Sequence, residues 1–249
     1  MDTKQKRRRF RELHQRGFFI LPNPWDIGSA KYLEKRGFKA LASTSSGAAL
    51  ALGREDGEMT RDEVIAHLRM LCATTSLPVN ADFEDGFGDT PQEIAQSVRL
   101  AIDAGVAGLS IEDARNRILL DKTEAIQRLR AAREAIDQSG EEVILVGRAE
   151  GFLRGRPDLD EVIERVRAYG ENGADCLYAP GINDIQQVRA IMDAVAPKPV
   201  NVLFRAPFFM DELARAGVRR VSTGGALGDR TYAALEQAAD ELLAGQPTK

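Results

Sequence analysis

The chain has 249 residues, 43% of them hydrophobic and 29% charged, with a formal net charge of −4. That balance, with a pI near 5.4, excludes a general nucleic-acid binder. No apolar run approaches the roughly 18 residues that span a membrane, and the charged N-terminus has no apolar segment behind it, as a signal peptide requires.

Residues 3–16 read as a polar helix, its basic cluster Lys4 to Arg9 expected as a solvated face rather than a phosphate-binding arm. Phe18 to Leu21 is a strand stopped by Pro22-Asn23-Pro24. Asp26 to Arg36 is helical and Gly37 ends it. Phe38 to Ala42 is a second strand, opening into the small residues Ser43 to Ala49, expected as a loop that offers N–H groups to an anion. After a polar loop at 53–57, Thr60 and Glu63 make a capping box, and Val64, Ile65, Leu68 and Leu71 follow at helical spacing. Pro78-Val79 then runs into Asn80, Asp82, Glu84 and Asp85, and on into Gly86-Phe87-Gly88. Thr90 and Pro91 start a helix that Gly105 closes, and strand 106–111 ends in Glu112. A charged helix covers 121–138, and strand 143–147 ends at Arg148, two residues before Glu150. Helix 158–171, strand 174–178, helix 184–195, strand 199–203, a short helix through Leu213 and strand 218–221 follow. The turn Ser222-Thr223-Gly224-Gly225 leads into a last helix at 227–243. Cys72 and Cys176 fall inside apparent core elements without metal-type spacing, which points to a reducing cytoplasm.

Eight strands alternating with helices require parallel pairing with right-handed crossovers. Pro78-Val79-Asn80 returns as Pro199-Val200-Asn201, and helix-ending glycines recur at Gly37, Gly105, Gly173 and Gly217. The expectation is an α/β protein, one (β/α)8 TIM barrel over 1–249 with an extra N-terminal helix. An open doubly wound sheet wants Gly-x-Gly-x-x-Gly after its first strand, where this chain has Pro22-Asn23-Pro24-Trp25.

A barrel places its active site at the C-terminal strand ends. The candidates are then Trp25, Ser43 to Gly47, Asn80, Asp82, Glu112, Arg148, Glu150, Asn201 and the 222–225 turn. No lysine falls at a strand end, which excludes a Schiff-base aldolase. His14 and His67 belong to outer helices. Carboxylates and amides of this kind suit Mg²⁺. Arg148 suits a carboxylate or phosphonate, with a salt bridge to Glu112 or Glu150 as its structural role. A metal plus N–H donors facing an α-keto acid stabilises an enolate. The 222–225 turn offers a phosphate site.

Several segments together resemble the isocitrate lyase/phosphoenolpyruvate mutase superfamily. They are Thr44-Ser45-Ser46-Gly47, Leu52 to Asp56, Asn80-Ala81-Asp82 with Gly86-Phe87-Gly88, Ser110 to Asp113, and Gly147 to Glu150. The likeness runs from Pro24 to Ala226. It implies Mg²⁺-dependent chemistry on α-keto or 2-hydroxy acids. By that resemblance Gly47 and Ala48 match a backbone oxyanion hole beside the substrate contacts Ser45 and Ser46, and Asp56 matches an acid on a gating loop. Asp82 and Glu112 match carboxylates near the metal, and Arg148 the substrate-anion arginine. The resemblance also implies a last helix exchanged between subunits of a homodimer or homotetramer.

Two departures stand out. Asn80 replaces the first acid of the family's Asp-x-Asp, so the expected metal set is Asn80, Asp82 and Glu112, with one charge fewer. The loop after Glu112 has no Lys-x-Cys-Gly-His, which argues against isocitrate or methylisocitrate cleavage. The expected function is a Mg²⁺-dependent lyase or hydrolase of a small oxo-acid, with Asp56, Glu112 and Arg148 catalytic and Trp25, Ser45, Ser46, Gly47, Ala48, Arg148 and Asn201 contacting substrate. The alternatives are a non-catalytic 2-oxoglutarate-like binder, favoured by Asn80, and mutase-type P–C chemistry.

Overall fold

The computed structural model describes residues 1–246; residues 247–249, the end of the expected single domain, lie outside the described residues. The barrel strands are β1 (Phe19–Leu21), β2 (Leu41–Ala42), β3 (Val79–Asp82), β4 (Gly108–Glu112), β7 (Ile144–Arg148), β8 (Cys176–Tyr178), β9 (Val200–Leu203) and β10 (Arg220–Ser222). A short antiparallel hairpin, β5 (Ala114–Arg115) and β6 (Ile118–Leu119), follows β4. All barrel pairings are parallel, in the order β1-β10-β9-β8-β7-β4-β3-β2. The ring is nearly closed. Between β1 and β2 there is no ladder, and the Ala42 N–H donates to the Pro22 carbonyl at 3.0 Å. Asn23 reinforces this seam. Its Nδ2 donates to the Ser43 carbonyl, and its Oδ1 accepts from the N–H groups of Thr223 and Gly224.

The strands are buried on both faces, as parallel strands covered by crossover helices must be. The outer layer is α2 (Ile27–Lys35), α4 (Arg61–Thr74), α5 (Pro91–Asp103), α6 (Lys122–Ser139), α7 (Leu159–Glu171), α8 (Ile185–Val195) and α9 (Met210–Ala216). The Thr60/Glu63 capping box forms as expected, and Thr90 with Glu93 makes another above Pro91. The final helix, α10 (Ala226–Leu243), buries only Gly228 and exposes Leu235, Leu242 and Leu243.

Three local expectations change. The first helix, α1 (Thr3–Gln15), closes the bottom of the barrel with fully buried Phe10. Its basic cluster is not all solvated. Lys6 Nζ donates to the carbonyls of Cys72 and Thr75, and Arg7 to those of Ile102 and Val106. Both cations thus satisfy the unpaired carbonyls at the ends of α4 and α5, where the helix dipole also favours positive charge. The run after β2 is a helix, α3 (Ser45–Ala51), capped by the Thr44 side chain, because its alanines and leucine favour a helix despite Gly47.

Candidate active site

The mouth of the barrel is organised by Arg148. Parallel register sets Arg148 at the end of β7 beside Glu112 at the end of β4. Arg148 Nη1 lies 3.0 Å from Asp82 Oδ1 and 3.2 Å from Glu112 Oε2. Its Nε donates to Glu150 Oε1 at 2.6 Å. The guanidinium carbon stands 5.5 Å from the centre of the Tyr178 ring. A 3₁₀ turn at Gly151–Arg154 brings a second guanidinium: Arg154 Nη2 is 3.5 Å from Glu112 Oε1 and 2.8 Å from Glu150 Oε2. The second contact is close but poorly aligned, and Glu150 Oε2 makes no hydrogen bond. Glu150 is fully buried and its N–H donates to Asp113 Oδ1, which fixes its backbone.

Three carboxylates therefore share two guanidiniums. Burial works against the charge on Arg148, but Glu112, Glu150 and Asp82 outweigh it and hold Arg148 well above its ordinary range. Glu112 is pushed well above the usual carboxylate range, first by burial, with Arg148 opposing and Glu150 and Asp82 adding. Asp82 also accepts from the N–H and Oγ of Ser45, both at 3.1 Å. The same Ser45 Oγ lies 2.8 Å from Asp56 Oδ1, so one hydroxyl links loop 53–57 to the end of β3.

Glu84 is the discordant member. Its backbone is left-handed (φ +44°) and its buried Oε1 has no hydrogen-bond partner. Burial, then Asp82, Asp56 and Asp85, pushes its carboxyl up to about 8. Two cavities meet at Ser45, Asp56 and Arg148. An inner one of about 200 Å³ descends to Asn80, Tyr178 and Arg220, and an outer cleft of about 670 Å³ takes in Glu84, Glu112 and Arg154. The outer cleft is larger but is the open space beneath hairpin β5–β6. The chemistry-bearing groups stand where the two join.

The family model for phosphoenolpyruvate phosphomutase matches residues 10–243. The chain belongs to that family. It is thus an enzyme of the isocitrate lyase/phosphoenolpyruvate mutase superfamily. A Burkholderia cenocepacia J2315 structure, provisionally classed as a lyase/mutase, is 43% identical, covers 96% of this chain and 88% of its own, and superposes with a TM-score of 0.92. Oxaloacetate decarboxylase of Bradyrhizobium sp. is 31% identical over 88% of this chain and 77% of its own length. 2-Methylisocitrate lyase of Escherichia coli is 33% identical over 65% of this chain and 57% of that enzyme.

Within this phosphomutase-family barrel, Ser45, Asp56, Asp82, Glu112 and Arg148 come together as expected from the sequence, and Ser46 lines the inner cavity. Four expected residues, Gly47, Ala48, Trp25 and Asn201, line neither cavity. Gly47 and Ala48 offer no oxyanion hole, because α3 consumes their N–H groups: Gly47 donates to Thr44 Oγ1 and Ala48 to the Thr44 carbonyl. A Cβ on Gly47 or on Gly228 would meet Trp25, so that side chain packs between α3 and α10 rather than in either cavity. Asn201 is buried below the cavity, bonded to Ser222 Oγ and Arg220 Nε. Asn80, expected as a metal ligand, lines the inner cavity but turns its Oδ1 toward Arg220 Nη1 at 3.4 Å. The 222–225 turn spends the Thr223 and Gly224 N–H groups on Asn23, so they do not serve a phosphate.

Glu84, Arg154, Tyr178 and Arg220 were not legible as site residues. Arg154 carries a signal, four residues after Glu150, once a helical turn is drawn there. Arg220 carries another, a charge on the inward parity of an apolar strand. Glu84 stands in the acidic run after β3, but its direction follows from a left-handed residue.

Proposed function

We propose that this enzyme cleaves the carbon–carbon bond of a small 2-oxo acid of the oxaloacetate type. One observation carries the reading. At the junction of the cavities, a guanidinium is clasped by three carboxylates, and among the described residues no lysine, cysteine or histidine lines either cavity. That composition leaves neither a Schiff base nor a thiol acid, and it suits a substrate that departs as an enolate. The similarity to an oxaloacetate decarboxylase over most of both chains supports the same class. The similarity to 2-methylisocitrate lyase covers little more than half of that enzyme, and the loop after Glu112 lacks the cysteine acid.

The site fits a divalent cation. Among the described residues no three ligand side chains already stand in coordinating geometry. Mg²⁺ needs only one or two carboxylates, its remaining positions going to water and substrate. Asp82 and Glu84 would supply them, Glu84 with an orphaned oxygen and a proton affinity raised by burial and by neighbouring acids, and Glu112 would complete the acidic wall. A divalent ion held there would supply Lewis-acid polarisation of the keto oxygen and offset enolate charge. Arg148 orients the substrate's carboxylate and keeps Asp82 and Glu112 in place. Decarboxylation breaks the C3–C4 bond, and the electron pair passes into the enolate as CO₂ leaves. A proton taken up at C3 then gives pyruvate. Asp56, hydrogen-bonded to Ser45 at the rim, closes the cavity and limits water.

Release of pyruvate from a panel of oxo-acids, with Mg²⁺ and with chelator, tests this. Turnover of at least one member, lost with chelator and reduced about a thousandfold in Arg148→Ala, is expected for a residue whose hydrogen bonds are charge-assisted. No member turned over above the Arg148→Ala background refutes it. The Asn80–Arg220 contact favours a second reading, a binder of 2-oxo acids without metal-driven chemistry. Calorimetric affinity unchanged by chelator, without turnover, supports the binder.

A further inference from the structure

Arg220 is the exception among the buried arginines. Arg7 pairs with Glu141, Arg128 with Asp85 and Arg165 with Asp113. Arg220 is 2% exposed, and its contacts are all neutral. Its Nε donates to Asn201 Oδ1 at 2.9 Å, and its Nη1 faces His14 Nε2 at 3.2 Å and Asn80 Oδ1 at 3.4 Å. His14 Nδ1 sits 2.8 Å from the Phe10 carbonyl, so it holds the ring proton and leaves Nε2 as the acceptor. Burial, then Arg220, pushes His14 down to about 3, so this histidine stays neutral. A buried charge without a counter-ion is strongly unfavourable. Here the guanidinium lines the inner cavity whose other end is Arg148.

We propose that Arg220 is a second anion site, and that the substrate is a 2-oxo dicarboxylate of four or five carbons spanning Arg148 and Arg220. The inference rests on the functional reading above and narrows its substrate class. The cavity of about 200 Å³ has room for a small diacid between the two guanidiniums. The two guanidiniums differ in a useful way. Arg148 is already compensated by three carboxylates, whereas Arg220 is compensated by none. Decarboxylation removes charge from the leaving carboxylate. Strong pairing there stabilises the reactant over the transition state. Arg220 therefore takes the carboxylate that is retained, and Arg148 the one that leaves.

Calorimetry with matched acids tests this without requiring turnover. The pairs are 2-oxoglutarate with 4-oxopentanoate, and oxaloacetate with 3-oxobutyrate, each mono-acid lacking the retained carboxylate beside the keto carbon. Wild type is expected to prefer the diacid of at least one pair by 30-fold or more. Arg220→Gln reduces that preference below threefold and leaves the mono-acid within threefold of wild type. Asn201→Asp provides an internal counter-ion while keeping the arginine and its packing, and is expected to erase the preference too; it decides the matter where Arg220→Gln fails to fold by circular dichroism. Equal wild-type affinity for diacid and mono-acid, or a preference that survives in the folded variants, overturns the Arg220 assignment alone. Wild type binding none of the four acids overturns both it and the functional reading.

Discussion

Glu84 holds a carboxyl that the fold half-buries and sets among Asp82, Asp56 and Asp85. Its pKa is raised to about 8 in the folded chain, against an ordinary value near 4.3 in the unfolded one. The folded state therefore binds more protons between these limits, and stability falls as pH rises through that window. Glu84→Gln removes the titration. In the presence of chelator, the variant's melting temperature is expected to exceed wild type by more at pH 9 than at pH 5. The difference should be on the order of 1–2 kcal/mol, well below the full pKa shift because the site is partly solvated. An offset independent of pH sinks the assignment. Ser45 acts at the same scale. Its hydroxyl is within reach of both Asp56 and Asp82, and Ser45→Ala leaves them without that shared donor. Turnover is expected to fall about tenfold, the scale of one lost hydrogen bond. Limited proteolysis within loop 53–57 is expected to quicken, and an unchanged cleavage rate tells against the link.

Among the elements, α1 decides how deep the cavity is. Phe10 seals the barrel floor, and His14 presents its ring to Arg220 from the same helix, four residues on. Strand β4 accepts this plug only because position 108 is glycine. A Cβ there would meet Phe10 Cε1 at 2.7 Å, Asn80 Oδ1 at 2.8 Å and the Ile144 carbonyl at 3.1 Å. One of those contacts is backbone, so relief requires the strand or the helix to move. Gly108→Ala is expected to lower stability by about 1–3 kcal/mol, in the range of overpacked cores, read as a shift of the urea midpoint. A midpoint equal to wild type means that α1 is loosely seated. α3 teaches the opposite lesson. A helix there ties up the N–H groups of Gly47 and Ala48 and leaves recognition to side chains at its start.

At the scale of the molecule, α10 is an 18-residue helix that leaves Leu235, Leu242 and Leu243 exposed. Burying such side chains is worth about 1.5–3 kcal/mol each, so an apolar stripe of this length favours a partner. We propose that the partner is a second copy, exchanging this helix. Leu235→Glu with Leu242→Glu is expected to lower the sedimentation mass from a dimer or tetramer to a monomer. An unchanged mass places the subunit contact elsewhere.

The barrel was legible because parallel strands buried on both faces leave continuous apolar runs, and because caps such as Thr60 and Glu63 act within one turn. Asp82, Glu112 and Arg148 were legible for the same reason: a strand's end is a position in sequence, and the fold class says which end faces the site. What tertiary structure alone decided was direction and partnership. Asn80 stands on a site strand, yet its oxygen faces Arg220 from β10, 140 residues away. The run after β2 is rich in N–H groups, yet a helix takes them up. Arg220 looks like any charge near a strand edge until the ring closes and leaves it without a counter-ion. Local chemistry sets what a side chain can do, but desolvation and the charges around it come from residues far apart in the chain, and these decide which of its options it takes.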